Sequence, residues 1–140
     1  MKSFFKVSII GLFISLTACA TAEPKPSDIQ SASYGPKPSK EYMVSAVENY
    51  MSKRLIDPSS ATYECTNPKK SWLVGGVGSE GNVNHGQVYY GYYSVCMINA
   101  KNKFGGYTGA KENHFMIYQH NGSPALGHFD GFESGGPVPE

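Results

Sequence analysis

"QVYYGYYSVCMINA", Gln87 to Ala100, is the stretch on which the fold turns. It carries four tyrosines, two valines and an isoleucine, and no proline. Those residues suit a pleated strand. Both alternating faces are apolar: Val88, Tyr90, Tyr92, Cys96 and Ile98 share one, and Tyr89, Tyr93, Val95 and Met97 share the other. Such a strand belongs in the centre of a sheet, with a helix over one face. "HFMIYQH", His114 to His120, reads as its antiparallel neighbour.

Working outward, Ala61 to Cys65 and Trp72 to Val74 read as two shorter strands. "GGVGSEGNVNHG", Gly75 to Gly86, reads as a flexible, polar hairpin loop. Its glycines do not fit a nucleotide fingerprint, which needs a strand before and a helix after. The tail is weakly patterned, and "ALGHFDGF", Ala125 to Phe132, has the makings of one edge strand. Ahead of the strands, Ser39 follows Pro38 and can cap a helix, with Glu41 in the favourable first turn. Met43, Val47, Tyr50, Met51, Arg54 and Leu55 then keep helical spacing, which predicts a helix over 40–55 closed by Asp57-Pro58. The expected class is α+β: one N-terminal amphipathic helix on a small antiparallel sheet of about three to five strands.

The chain start is of another kind. Lys2 and Lys6 precede a ten-residue apolar run, Val7 to Leu16. A spanning helix needs roughly twenty such residues, so the run fits a secretory signal instead. "LTAC", Leu16 to Cys19, resembles the bacterial lipoprotein signal, in which cleavage precedes the cysteine and its thiol takes a diacylglycerol. Ordinary secretion, cut at Ala18-Cys19-Ala20, is the alternative. Ala20 is not the aspartate that retains enterobacterial lipoproteins at the inner membrane. The resemblance therefore implies an outer-membrane protein facing the periplasm, with the cell surface as the other side.

The domain plan is a signal over 1–18, an acylated, proline- and serine-rich tether over 19–38, and one domain over 39–140. The tether repeats "PKPS" at Pro24–Ser27 and Pro36–Ser39 and holds almost no large apolar residue. Prolines at that density favour extended, unpacked chain.

Of three cysteines, acylation takes Cys19 and leaves Cys65 and Cys96. In an oxidising compartment two thiols pair, and neither has the CxxC or histidine spacing of a metal site. Lys2 and Lys6 leave with the signal, which takes the twelve basic residues to ten against eleven acidic. A net of −1 argues against a nucleic-acid partner, and offers no polybasic supplement at a membrane, so the lipid is the anchor.

"NAKNKFGGYTGAKENHF", Asn99 to Phe115, lies between the two best strands. A Walker loop would need G-x-x-x-x-G-K-[ST] and a following helix; both are missing. A tight turn is the plain reading, with Gly105 and Gly106 supplying positive φ and Phe104 and Tyr107 packing beside it. The alternative is a recognition surface made of Asn102, Gly105, Gly106, Tyr107, Gly109 and Lys111.

"DPSSATYE" together with "VCMINAKNKFGGYTG" resembles a family of small bacterial exported proteins and lipoproteins. Its members pair a DP-x-SA turn after a helix with a VC-x-x-NAKN-x-FGGYTG segment. The likeness covers about residues 40–118, and Met97 stands where the family often has glycine. It implies an architecture and no reaction. "TYEC" is also similar to the early Y-x-C of periplasmic inhibitors of c-type lysozyme, whose serine-glycine loop this chain lacks.

No nucleophile motif, tuned carboxylate pair or cofactor signature stands out, so no catalytic, cofactor or metal residue is assigned. His114 and His120, six apart, lie roughly 20 Å apart on one strand and cannot share a metal. The reading is a lipid-anchored binding or envelope-complex accessory module with a protein or glycan partner. An inhibitor of a host hydrolase is the alternative, and an enzyme the least favoured.

Overall fold

The computed structural model describes residues 23–129 and 134–140. The expected signal, and Cys19 with it, lie outside them. Among the described residues the order is α1 (Pro26–Ser31), α2 (Lys40–Met51), β1 (Asp57–Cys65), β2 (Lys69–Val74), β3 (Val88–Lys101), β4 (Lys111–His120), β5 (Ser123–His128) and β6 (Gly135–Pro137). All six strands join one antiparallel sheet, β5-β4-β3-β2-β6, with β1 also paired to β3.

The expectation of one helix on three to five strands is thereby corrected: two short helices accompany six strands. Three local causes account for the difference. α2 stops at Met51, not Leu55: the Arg54 amide turns onto the Met51 carbonyl only three residues back, at 2.9 Å, a tighter turn than the helix makes, and the Leu55 amide closes on the same carbonyl. That tight turn frees Asp57 to start β1. A second helix, α1, forms inside the stretch read as unpacked tether: Pro26 occupies its first turn, and the Lys25 amide donates to Asp28 at 3.3 Å. β6 carries Gly135, Gly136 and Pro137, residues with no strand preference, and exists because β2 offers it a ladder.

Tyr34 also departs from the tether reading. It is buried, its hydroxyl donates to the Ile29 carbonyl at 2.7 Å, and its ring meets Tyr90 edge-on at 5.8 Å. Lys70 Nζ stands 4.4 Å from that ring centre. The linker is thus fastened beside the start of β3.

β3 is flanked by β4 on one side and by β1 and β2 in succession on the other. Cys65 faces Cys96 and Lys69 faces Tyr93, so four steps of one edge match three of β3. The extra residue makes a bulge. Thr66 fills it: its amide donates to Val95 O at 2.9 Å, and its hydroxyl accepts from the Val95 amide at 3.1 Å. Ser94, fully buried, donates to Thr66 O at 2.8 Å. At this junction the Cys65 and Cys96 sulfurs are 2.07 Å apart, a disulfide between directly opposed residues.

Each face of the sheet has its own core. Under α2, Met43, Val47 and Met51 pack on the disulfide and on Ile98, Phe115 and Ile117. Each such side chain contributes about 1.5–3 kcal/mol by leaving water. On the other face Leu73, Tyr89, Met116 and Tyr118 are covered by Val83 and Phe129. Val83 belongs to the loop read as flexible. Instead, the Tyr89 and Tyr118 hydroxyls both donate to Asn82 O, at 3.0 and 3.1 Å, and hold the loop against the sheet. Gly91 shows how close the strands lie: a Cβ there would meet Ile117 O at 2.2 Å.

Two outcomes follow from this packing. Replacing Cys65 and Cys96 by serine should lower stability by roughly 3–4 kcal/mol, measured by urea unfolding; a loss below about 1 kcal/mol would show the bridge to be dispensable. Burial, then the hydrogen bond to Glu80, pushes the Tyr50 phenol from 10.0 up to about 12, and burial pushes Tyr118 to about 12 as well. A raised folded-state pKa stabilises fully below the unfolded value of 10.0 and is lost as pH climbs through the folded one. Unfolding should therefore steepen between about pH 10 and 12, with phenolate absorbance and circular dichroism changing together.

Candidate functional site

The hairpin between β3 and β4 is built around Asn102. Its side-chain Oδ1 accepts from the amides of Phe104 at 2.9 Å and Gly106 at 3.2 Å. Its backbone N–H donates to Gly106 O at 2.8 Å, and its carbonyl accepts from Gly105 at 3.0 Å. An asparagine that mimics a turn of backbone in this way closes the loop without apolar packing. Gly105 and Gly109 take positive φ, +80° and +90°. Gly106 does not, which corrects the reading that paired it with Gly105.

Phe104 is corrected too. It does not pack beside the turn but stands 83% exposed. Tyr107 is 54% exposed; its hydroxyl donates to Ser60 O at 3.2 Å, and Lys101 Nζ lies 5.6 Å from its ring centre. Ile56, from the α2–β1 turn, is 70% exposed at the same end of the molecule. Of the six residues proposed as a surface, Asn102 and Lys111 line one cleft; Tyr107 flanks it; Gly105, Gly106 and Gly109 shape the turn.

That cleft has a volume of about 270 Å³ and lies below the C-terminal end of α2. Met51, Leu55, Ile98 and Ala100 form an apolar floor. Arg54, Lys101 and Lys111 bring positive charge to its wall. The Arg54 guanidinium is engaged: Nε donates to Glu80 at 3.0 Å, and the group lies 3.6 Å above the Tyr50 ring. Those two donors, first Arg54 and then Tyr50, hold the Glu80 carboxyl below its ordinary range. Lys101 and Lys111 have no ion-pair partner within 4 Å among the described residues. Sequence reasoning missed Arg54, Ile56, Lys101 and Asn113 as parts of this end. They come from three separated segments, and only the β3–β4 register with the α2 turn unites them.

A second constellation lies on the opposite face. The Tyr93 hydroxyl is hydrogen-bonded to His114 Nδ1, the two rings stack at 15°, and His114 Nε2 is 3.1 Å from Glu112 Oε1. Burial first, then the Glu112 charge, raises the Tyr93 phenol. Tyr93 also borders an apolar cleft with Leu73 and Gly135–Pro137. Its hydroxyl is hydrogen-bonded to His114. His128 stacks on Phe115 at 4.8 Å, and His120 meets Tyr118 edge-on at 6.4 Å. Among the described residues no group of three His, Cys, Asp or Glu side chains is placed to hold a metal ion.

Comparison of the chain with protein-family models, with curated proteins and with solved structures finds no match.

The two glycines separate turn geometry from surface chemistry. Gly105→Val should cost about 1–3 kcal/mol, because a β-branched residue resists φ of +80°. Gly106→Val should be nearly neutral, since its Cβ would meet nothing nearer than Asn102 Oδ1 at 3.9 Å. Thermal melts of the two variants check this, and the reverse order of stability would overturn the turn assignment.

Proposed function

We propose that the chain is an outer-membrane lipoprotein, anchored through a diacylglycerol on Cys19, whose domain binds a protein or glycan partner in the envelope with its β3–β4 end. The observation that carries the reading is the joint exposure of Phe104, Tyr107 and Ile56 at one end of the molecule. Large apolar side chains in water are unfavourable, and a cluster of them that folding does not need is characteristic of a binding surface. "LTAC" after the apolar run supports the anchor. Tyr34 supports the orientation: the linker is fastened at Tyr90, and Lys101 at the hairpin is eleven residues further along β3, roughly 35 Å. A chain tethered at one end of its central strand displays the other end to partners. The likeness to small exported proteins and lipoproteins belongs with this reading and adds no reaction.

Two measurements test it. Cys19→Ala should abolish fatty-acid labelling and membrane fractionation while leaving the circular dichroism of the domain unchanged; retained label would overturn the anchor. A photo-crosslinking residue at position 104 or 107 should give one discrete adduct in living cells. The same residue at Val77, equally exposed on the β2–β3 loop, should give none. Equal products at all three positions would refute a partner surface. Truncating Phe104 and Tyr107 together should weaken partner capture by roughly 2 kcal/mol or more, with the melting temperature nearly unchanged.

A further inference from the structure

The cleft below the hairpin is more specific than the exposed rings around it. Its floor is aliphatic, and two lysines on its wall lack ion-pair partners among the described residues. Asp57 faces Lys101 across the β1–β3 ladder; its carboxyl is held below the ordinary range first by the Ser59 hydrogen bond at 2.6 Å and in part by the Lys101 charge, without closing to an ion pair within 4 Å. No carboxylate is among the lining residues.

Two amides complete the pattern. Asn102 uses its Oδ1 on the turn, which leaves its Nδ2 as a donor at the cleft. Asn113 uses its Nδ2 on Lys111 O at 3.0 Å, which leaves its Oδ1 as an acceptor there. One donor and one acceptor are what a peptide group needs for its C=O and N–H. An aliphatic floor suits one apolar side chain, and two lysines at one cleft suit one carboxylate.

We propose that this cleft binds the C-terminal end of a short peptide. Lys101 and Lys111 hold the terminal carboxylate, Asn102 and Asn113 hold the last peptide group, and the final aliphatic side chain lies on Met51, Leu55 and Ile98. A phosphate dianion fits less well, because the aliphatic floor would strip its water without replacing the lost hydrogen bonds. A fatty acid would leave the two amides unused. The proposal rests on the reading of this end as a binding surface and names what that surface recognises.

The test is calorimetric titration of the purified full chain with N-acetyl-alanyl-leucine bearing a free carboxylate. Its carboxamide, octanoate and inorganic phosphate are the comparison probes. The free acid should bind saturably, and the carboxamide about tenfold more weakly, the size of a lost charge-assisted hydrogen bond. Lys111→Gln and Lys101→Gln should each weaken the acid by about the same factor, with unchanged melting temperatures; Lys111→Arg should retain most of the affinity. Equal binding of the carboxamide would overturn the carboxylate contact. Octanoate binding as tightly as the peptide, or phosphate displacing it at equal concentration, would overturn the peptide assignment. Absence of saturable binding by the acid would overturn the site. If the titration fails while the position-104 crosslink persists, the cleft proposal alone falls. If the peptide binds and no crosslink forms, the partner surface falls instead.

Discussion

A fourteen-residue strand that is apolar on both faces has to be covered on both faces, and most of this molecule is that cover. β3 makes ladders with β1, β2 and β4. Its even-numbered side chains, Cys96 and Ile98 among them, face α2 or lie beside the Tyr34 contact. Its odd-numbered ones, Tyr89 and Tyr93, face Val83, Phe129 and the loop between β2 and β3. A chain this short has few elements to assign to two faces. It uses a helix for one and an ordered loop for the other, and holds the loop by tyrosine hydroxyls where regular structure is missing.

The bulge at Thr66 is what lets one side of β3 be served by two strands. β1 and β2 run on from each other, and the slip of one residue between them would leave the Val95 amide and the Thr66 carbonyl unpaired if the Thr66 and Ser94 hydroxyls did not take them up. The disulfide sits at the same junction, under Met43 and Val47. A cross-link there ties the α2–β1 half of the chain to the β3–β4 half where the backbone ladder changes register. Its effect on the unfolded chain and its position at the ladder's weak point act in the same direction.

The sequence made β3 legible because tyrosine, valine and isoleucine alternate there over its full length, and α2 because Ser39 caps it and Met43, Val47 and Met51 keep helical spacing. Local pattern stops where tertiary contact decides. Nothing in Gly135-Gly136-Pro137 calls for a strand until β2 is beside it. Tyr34, one aromatic among prolines and serines, reads as linker until Tyr90 and Lys70 are placed around it. The loop from Gly75 to Gly86 reads as flexible from its glycines, while its order comes from hydroxyls thirty-odd residues away or on the next strand. For the candidate site, Asn102, Tyr107 and Lys111 stand close enough in sequence to be read together. Arg54, Ile56 and Asn113 join them only through register and the α2 turn.

The same economy that covers β3 also dictates where chemistry can sit. With α2 over one face and the β2–β3 loop over part of the other, the central strand is covered along most of its length among the described residues, Met97 being its one exposed large apolar side chain, and the largest exposed rings stand near the strand ends. At the end near Tyr90 the linker occupies that space. At the other end the hairpin closes through Asn102 and Gly105, whose hydrogen bonds and φ satisfy the backbone without help from neighbouring side chains. Phe104 packs on no core residue, while Tyr107 is held by its bond to Ser60 O, its backbone bridge to Lys101 and the Lys101 ammonium over its ring. Random polar substitution at such positions would cost the fold little and help solubility. Large rings stand there instead, beside two lysines without ion partners among the described residues and above a cleft with an aliphatic floor, which is the arrangement from which the proposed partner surface is argued.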